Sequence, residues 1–331
     1  MAPFAYVRVT DNADAVLDTV TPDSALVAGG TTLIDLMRLG VMAPTRLIDI
    51  NHLPLGRIED TPAGVTIGAL ARNSDTAHHP LVRAHFPALS EALLSGASAQ
   101  LRNMATTAGN IMQRTRCPYF RDIGVDACNK RRPGSGCAAL DGFTRPHAVL
   151  GGSNACIAVH PSDMCVALVA LEATVHVRGH YGDGVTERVI PFAEFHLLPG
   201  NTPERETSLA PGELITHVTL KPSELSARSV YVKARDRASF AFALASAAVA
   251  LQIEGGKIRA ARVALGGVAT KPWRSLEAEQ VLVGRYGTHA TFEQAASAAL
   301  AAAQTRPDNQ FKVPLAKATL IRALERSRDL T

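Results

Sequence analysis

The pattern of apolar and polar positions predicts a chain of short strands interspersed with helices. Residues 4–10 and 213–220 alternate between apolar and polar side chains, which is typical of strands with one buried face. Residues 174–178 and 187–191 favour a hairpin across the Gly-Asp-Gly turn at 182–184. Short segments of β-forming residues predict further strands at residues 46–50, 65–69, 229–233 and 257–266.

Helices are predicted where capping residues precede segments of good helix formers. The predicted helices cover residues 13–19, 74–79, 87–95, 164–171, 276–283, 292–304 and 314–328. The segment Pro161-Ser162-Asp163 is expected to break the chain and cap the helix that begins at Met164, where Asp163 is either a bare cap or also carries a second hydrogen bond. Residues 239–250 are apolar and rich in alanine, so they fit either a buried strand or a helix.

Length and composition describe an ordinary globular protein of about two domains. The 331 residues are 47% hydrophobic and 19% charged, which is sufficient for two apolar cores. The Lys221-Pro222-Ser223 segment is the expected boundary between a domain at 1–221 and a smaller α+β domain at 224–329. The net charge is only +4, and we find no basic stripe with interleaved aromatic residues. Nucleic-acid binding is therefore not expected.

Membrane insertion is not expected either. The apolar run at 240–253 is too short to span a bilayer, and Ser246 and Gln252 interrupt it. The N-terminus has neither the basic region nor the apolar region of a secretory signal. We therefore expect that the chain carries no export signal of its own.

Two segments have the composition of cofactor-binding loops. Residues 24–37 predict a strand, a Gly-Gly-Thr-Thr turn and a helix, an arrangement that directs backbone N–H groups at an anion. The turn is neither the G-x-G-x-x-G fingerprint nor a phosphate-binding loop with Gly-Lys-Ser/Thr. Residues 106–110, Thr-Thr-Ala-Gly-Asn, suit a loop around a polar cofactor. Taken alone, each segment fits a turn that binds nothing better than a cofactor-binding loop, because glycine-rich and polar turns are common.

Four of the five cysteines lie in a loop-rich stretch of turn formers and cations, and these four are Cys117, Cys128, Cys137 and Cys156. Zinc sites favour paired C-x2–4-C spacings, which this stretch lacks. Disulfides need an oxidising compartment, and an odd number of cysteines argues against a closed framework. Unlinked buried cysteines are a third alternative, although those would be spread through core segments. An iron–sulfur cluster fits the residue types best, but the spacing alone leaves the choice open.

The order of several motifs resembles a known family. Ala-Gly-Gly-Thr-Thr-Leu at 28–33 is followed by Thr-Thr-Ala-Gly-Asn-Ile at 106–111, Pro-Ser-Asp at 161–163, and Tyr-Val-Lys at 231–233 with Arg237 after it. This order is similar to that of the FAD-binding medium subunit of the molybdenum hydroxylases, the family of xanthine dehydrogenase and carbon monoxide dehydrogenase. The resemblance implies an α+β fold. A two-part FAD-binding domain of the PCMH type, split near 55–60, would precede a C-terminal domain of the CO dehydrogenase flavoprotein type.

The cysteine stretch resembles one branch of that family. Gln-Arg-Thr-Arg-Cys-Pro-Tyr-Phe-Arg-Asp at 113–122, Cys-Asn-Lys-Arg at 128–131 and Pro-Gly-Ser-Gly-Cys at 133–137 look like the branch whose flavin subunit carries an extra 4Fe–4S cluster, as in bacterial periplasmic aldehyde oxidoreductases. The resemblance implies an insertion at about 112–157 in which the four cysteines bind the cluster. Cys165 lies outside the pattern and is expected to be structural.

The resemblance also implies which residues bind FAD. The turn would wrap the pyrophosphate, Thr107, Gly109 and Asn110 would hold the ribityl and isoalloxazine region, and Asp163 would bind a ribityl hydroxyl. Ile215 would pack on the ring, and Lys233 would lie near its polar edge. The complete set of implied cofactor residues is Val27, Ala28, Gly29, Gly30, Thr31, Thr32, Leu33, Thr106, Thr107, Gly109, Asn110, Asp163, Ile215 and Lys233.

The implied role is electron transfer within a heterotrimer. A large partner subunit would hold a molybdenum cofactor and oxidise the substrate, and a small partner would hold two 2Fe–2S clusters, so no catalytic residue is expected in this chain. FAD would reduce an external acceptor. Ala241 stands where many relatives carry Asp, so a quinone, oxygen or a protein is at least as good a candidate as NAD. The location would be periplasmic, by export with a partner, or cytoplasmic. A stand-alone flavoenzyme and a structural assembly subunit are the competing hypotheses.

Overall fold

The computed structural model describes residues 1–9, 16–17, 20–21, 23–181 and 184–330. Its strands form three sheets, with the orders β1-β3-β2, β4-β5-β8-β6-β7 and β12-β11-β10-β9. In chain order the strands are β1 (Ala5–Arg8), β2 (Ser24–Val27), β3 (Arg46–Asp49), β4 (Ile58–Thr61), β5 (Gly64–Gly68), β6 (Thr174–Tyr181), β7 (Gly184–Pro191), β8 (Leu214–Leu220), β9 (Ser229–Ala234), β10 (Ala245–Glu254), β11 (Lys257–Gly266) and β12 (Trp273–Arg274).

Helices pack against these sheets. In chain order they are α1 (Leu33–Arg38), α2 (Asn73–His78), α3 (Pro80–His85), α4 (Pro87–Ser95), α5 (Ala99–Met104), α6 (Thr107–Ile111), α7 (Pro118–Arg121), α8 (Asp163–Ala170), α9 (Phe192–Phe195), α10 (Glu224–Ala227), α11 (Leu276–Leu282), α12 (His289–Ala299) and α13 (Lys312–Arg328). Among the described residues, no helix is both long and apolar enough to cross a bilayer.

The first sheet is small and parallel, with β3 between β1 and β2. The carboxyl ends of parallel strands meet at one edge, so Val27 and Asp49 end side by side, and they are register partners. Ile48 is fully buried in the core of this sheet, together with Val16. The glycine turn that follows β2 is thereby held at the edge of the sheet.

The second sheet is antiparallel and has one buried face. Val175 and Val177 are fully buried, whereas His176 and Arg178 between and beside them face outwards. This alternation is the period-two pattern that predicted the strand. Against β8 the register shifts between His176 and Val177, because β8 carries Thr216 as an extra residue. The residues of the buried face belong to one apolar core together with residues of α4 and α8, and helices α6 and α9 contact the strands of this sheet.

The third sheet carries the C-terminal core, and residues 245–250 of the ambiguous segment at 239–250 belong to it as part of strand β10, whereas residues 239–244 lie in neither a strand nor a helix. Neighbouring residues of β10 lie in different cores, since Ala247 and Val249 pack towards α12 and α13 while Ala248 packs towards α8. A strand that is buried on both faces shows no alternation, which is why the sequence left the assignment open.

The structure confirms the predicted α+β class and the hairpin β6–β7, while residues 182–183 of its turn lie outside the described residues. The predicted helix at 13–19 also falls largely outside them. The helix predicted at 292–304 instead spans His289–Ala299. It cannot extend to Gln304, because the N–H group of Gln304 donates to the carbonyl oxygen of Val149 at 2.8 Å.

We predict that one buried lysine makes stability depend on pH. Burial, with Arg145 nearby, lowers the pKa of Lys312 from 10.5 to about 7. The unfolded chain therefore binds more protons than the folded one between those values, and stability rises with pH by up to about 1.4 kcal/mol per unit. Lys312→Met should raise the melting temperature most at pH 7 and least near pH 10. Lys317→Met on the same helix is the control, and an equal shift in both variants would contradict the assignment.

Candidate functional site

The glycine turn after β2 passes too close to α5 to carry a side chain. A Cβ atom on Gly29 would lie 2.0 Å from the carbonyl oxygen of Met104, and Gly30 has a φ of +70°, in the left-handed region. Both positions therefore require glycine. The turn and its flanks, residues 28–33, form one wall of a cavity of about 500 Å³, the first cavity.

Asn51, which the sequence did not single out, fixes this turn. Its side-chain amide donates to the carbonyl oxygen of Ala28 at 2.9 Å and to Asp49 Oδ1 at 2.7 Å. Burial raises the pKa of Asp49, but hydrogen bonds from Tyr6 and Asn51 outweigh it and lower that pKa to about 2. An ionised, fixed carboxylate at the end of β3 thus holds the amide that orients the turn.

Residues 106–110 are not the predicted loop. They cap and form helix α6, and Thr106 Oγ1 accepts a hydrogen bond from the N–H of Gly109 at 3.2 Å. Thr107 is buried and donates to the carbonyl oxygen of Ala71. Asn110 Oδ1 accepts from the Ser162 hydroxyl at 2.7 Å, which joins this segment to the start of α8. Thr107 therefore supports the site from behind, whereas Gly109 and Asn110 reach its surface.

The first cavity is apolar at one end and polar at the other. Its apolar lining includes Leu26, Ile50, Leu70, Leu214 and Ile215. At the polar end, His160 Nε2 and His196 Nδ1 are buried without hydrogen-bond partners among the described residues. Burial lowers the pKa of His196 to about 4 and that of His160 well below its ordinary value, so both rings are neutral. Unpartnered buried polar atoms beside a cavity fit a site that takes a polar ligand.

A second cavity of about 800 Å³ adjoins the first. The two share Thr31, Thr32, Gly109 and Gln113 in their walls. The second is lined by Asn110, Asp163, Lys233, Arg237, Phe240 and Phe242, among others. Two cavities joined at a glycine turn suit an elongated ligand with a ring system at each end and an anionic centre.

A buried ion pair lies in the wall of the second cavity. Lys233 Nζ donates to Asp163 Oδ2 at 2.7 Å and to the carbonyl oxygen of Ser95 at 3.0 Å. Tyr231 donates its hydroxyl to Asp163 Oδ1 at 2.5 Å, and burial with the adjacent carboxylate raises the pKa of Tyr231 well above its usual value. Asp163 is therefore the acceptor that satisfies Lys233 and Tyr231. Within the segment that was predicted to cap α8, the capping residue is Ser162, because the Ser162 hydroxyl accepts from the N–H of Cys165. Asp163 is the first residue of the helix and is not a bare cap.

The four cysteines predicted as a group lie around one small internal void. Cys128 and Cys137 face each other as an antiparallel bridge, while Cys117 and Cys156 come from flanking loops. Burial raises the pKa of Cys117 to about 12, although the N–H groups of Phe120 and Tyr119 oppose this. The same effect raises the pKa of Cys156, against the positive charge of Lys130.

This chemistry fits a metal centre. Four convergent thiols with backbone N–H groups and a lysine beside them become good ligands once a bound cation compensates their negative charge. Cys165 lies apart in α8, and burial raises its pKa to about 12. His147, which the sequence did not single out, places Nε2 at 3.2 Å from Cys117 Sγ.

Comparisons with known proteins agree with this geometry. The model of the FAD binding domain in molybdopterin dehydrogenase matches residues 2–222, and that of the CO dehydrogenase flavoprotein C-terminal domain matches residues 229–327. The chain is 51% identical over 330 residues to the aldehyde oxidoreductase FAD-binding subunit PaoB of Escherichia coli K12, covering 99% of both chains. It is 27% identical to the carbon monoxide dehydrogenase medium chain of Hydrogenophaga pseudoflava, covering 94% of this chain and 91% of that one.

A solved structure of carbon monoxide dehydrogenase from Hydrogenophaga pseudoflava superposes on this chain with a TM-score of 0.75 at 25% identity, covering 99% and 98% of the two chains. The fold and the paired cavities thus define a flavoprotein of the molybdenum hydroxylase class. The chain belongs to the family with the FAD binding domain of molybdopterin dehydrogenases and the C-terminal domain of CO dehydrogenase flavoproteins.

The structure brings most of the predicted cofactor residues together. Those that line the two cavities are Ala28, Gly29, Gly30, Thr31, Thr32, Leu33, Thr106, Gly109, Asn110, Asp163, Ile215 and Lys233. Val27 and Thr107 line neither of them. Ile215 lines the first cavity and Lys233 lines the second.

We predict that Gly29→Ala abolishes FAD retention. The added methyl group would collide with the backbone of α5, so the turn must move and its N–H groups lose their alignment. Gly56→Ala is the matched control, because a Cβ atom there meets nothing within 4 Å. The measurement is flavin per protein after purification. Full flavin content in the Gly29 variant would contradict the proposed path of the cofactor.

Proposed function

We propose that this chain is the FAD- and 4Fe–4S-containing electron-transfer subunit of a heterotrimeric, molybdenum-dependent oxidoreductase that acts on aldehydes or related aromatic or N-heterocyclic compounds. Electrons would come from a molybdenum-cofactor large subunit through a 2Fe–2S small subunit and leave through FAD to an external acceptor. The single observation that carries the proposal is the joined pair of cavities, which shares one polypeptide with a pocket of four cysteines.

The cavities suggest how this chain holds FAD. The N–H groups of the turn at 28–32 would bind the pyrophosphate at the junction of the cavities, close to the start of α1. Ile215, in the apolar end of the first cavity, would pack on the adenine, which revises its predicted contact with isoalloxazine. Asp163 and Lys233 would flank isoalloxazine in the second cavity. Once bound, FAD supplies a centre that exchanges either one or two electrons.

Several observations support an iron–sulfur cluster over a single zinc ion. A tetrahedral zinc ion with Zn–S bonds of about 2.3 Å would hold sulfur atoms roughly 3.8 Å apart. Within the described part of the chain, no three of the four thiols form a group whose sulfur atoms all lie within 4.8 Å of one another. The N–H of Ala158 also donates to Cys156 Sγ at 3.4 Å, a contact of the kind that tunes cluster potentials.

The relatives support the partners and the substrate class. A protein named as an aldehyde oxidoreductase FAD-binding subunit shares half of all positions along essentially the full length. Others are named as medium chains of glyceraldehyde and carbon monoxide dehydrogenases. We infer that substrate oxidation takes place in a partner and that this chain contributes no catalytic residue. We propose that the electron acceptor is a quinone, oxygen or a protein. We propose that the complex is either periplasmic, exported by a partner's signal, or cytoplasmic.

Comparing the isolated chain with the assembled complex tests the proposed function. The purified chain alone should not reduce dye with an aldehyde, whereas the chain assembled with its large and small partners should. Dye reduction by the isolated chain would favour a stand-alone flavoenzyme. A complex that turns over equally well without FAD in this chain would favour a purely structural subunit.

We predict that Cys137→Ser lowers the iron content by about four atoms per flavin, because a 4Fe–4S cluster needs all four thiolates. Cys165→Ser is the matched control and should retain its iron. In the assembled complex, slowed flavin reduction in a folded Cys137 variant indicates an electron relay, and loss of soluble subunit indicates a structural role. An unchanged iron count in the Cys137 variant would contradict the ligand set.

We also predict opposite shifts of the flavin potential from the two members of the buried ion pair. Lys233→Met leaves the Asp163 carboxylate uncompensated beside the cofactor, so the potential should fall, because negative charge disfavours reduced, anionic flavin. Asp163→Asn leaves Lys233 uncompensated, so the potential should rise. Spectroelectrochemical titration measures both. A potential that is unchanged in both variants would place isoalloxazine elsewhere.

A further inference from the structure

A second group of potential metal ligands lies on the outer face of the five-stranded sheet. His176 on β6, Glu187 on β7 and His217 on β8 bring one ligand atom each within 4.8 Å of one another. His176 and His217 are register partners, and Glu187 pairs with Arg178 two residues further along β6. The three side chains therefore come from adjacent strands and meet on one face.

A β-bulge creates this arrangement. Thr216 is the extra residue of β8, so Ile215 aligns with inward-facing Val177 and His217 aligns with outward-facing His176. Without the extra residue, His217 and Ile215 would lie on the same face of the sheet, because side chains two residues apart in a regular strand point the same way. The imidazole rings of His176 and His217 stack with centroids 4.0 Å apart and planes 18° from parallel.

The hydrogen bonds of His217 leave one nitrogen available. The hydroxyl of Thr216 donates to the backbone carbonyl oxygen of His176 at 3.2 Å, so it accepts from His217 Nδ1 at 3.0 Å. Nδ1 of His217 therefore carries the proton, and Nε2 carries the lone pair that a metal needs. Second-shell hydrogen bonds of this kind fix the tautomer of metal-binding histidines in proteins.

His176 can offer Nδ1 to a metal, whereas His217 offers Nε2. Nδ1 of His176 lies 2.7 Å from Glu187 Oε1, so these two atoms share a proton that a metal could replace. Nε2 lies 3.1 Å from the Thr219 hydroxyl and 3.4 Å from that of Thr174, and either hydroxyl oxygen can accept a hydrogen bond from a protonated Nε2. His176 can thus adopt the tautomer that presents Nδ1 towards the metal.

We propose that His176, Glu187 and His217 form a three-ligand site for a divalent transition metal such as Zn²⁺, whose remaining coordination is completed by water. Two imidazoles and one carboxylate suit zinc, copper or nickel and do not suit calcium or magnesium, which prefer oxygen ligands. The Glu187 side chain is 43% exposed and that of His176 is 15% exposed, so an ion can enter from solvent. The site is separate from the cofactor cavities and does not depend on the proposed function.

A proton and neighbouring charged side chains on this face compete with the metal for its ligands. A metal must displace the proton between His176 and Glu187, and it competes with Arg178, the register partner of Glu187. His180 lies further along the same face of β6. Burial and the adjacent His176 lower the pKa of His217, so this ligand is neutral at pH 7.

Calorimetric titration of the full chain with Zn²⁺ tests the site, using preparations matched in flavin and iron content. His217→Ala and Glu187→Gln should each weaken the binding step at least about tenfold. His78→Ala is the matched control, because that exposed histidine bonds, among the residues that the structure describes, only to the Ser74 carbonyl of its own helix. Equal binding in all four proteins, or no saturable step in the wild type, overturns the proposal.

The type of ligand supplies a second readout. X-ray absorption of the zinc-loaded protein should show nitrogen and oxygen neighbours only, whereas sulfur neighbours would mean that the ion had entered the cysteine pocket, and would overturn the proposal. Glu187→Gln keeps the shape of an exposed side chain, so it reports on the site even if His217→Ala fails to fold. A Glu187→Gln variant that binds Zn²⁺ as tightly as the wild type contradicts the assignment.

Discussion

The contact between the glycine turn and the end of α5 is the constraint on which the rest of the site depends. The backbone at Gly29 approaches the Met104 carbonyl so closely that no side chain fits between them. This contact holds two distant segments together, one at the edge of the parallel sheet and one leading into α6. The cavities exist on either side of this contact, and the walls that they share belong to these two segments.

The two buried carboxylates of the site are held by hydrogen-bond donors, which fixes its shape. Asp49 is held by Asn51, and Asp163 is held by Lys233 and Tyr231. Removing one member of such a pair lowers the stability of the fold by more than the intact pair adds to it, because the remaining charge stays buried in a medium of low polarity. In the cysteine pocket, by contrast, the nearby N–H groups do not offset the effect of burial, which leaves Cys117 a poor acid. That contrast is what makes a cationic centre the natural complement of the four thiols.

Much of the fold could be predicted, because strands with one buried face show alternation and helices show caps. The failures have specific causes. Strand β10 is buried on both faces, so periodicity could not separate strand from helix. Helix α6 contains threonine, glycine and asparagine, which favour turns, and tertiary contacts override that preference. Asn51 and His147 could not have been found, because a single polar residue with no spacing pattern carries no signal until the chain folds.

The bulge at Thr216 has a practical consequence for anyone who reshapes this protein. The alternation of buried and exposed side chains along β8 changes at Thr216. Inserting or deleting one residue on either side of it would therefore move the buried side chains to the exposed face and the exposed ones to the buried face. Splicing or loop grafting in this region must therefore preserve the residue count from Leu214 to Leu220. The surface connections beyond those ends are the places where insertions can be absorbed.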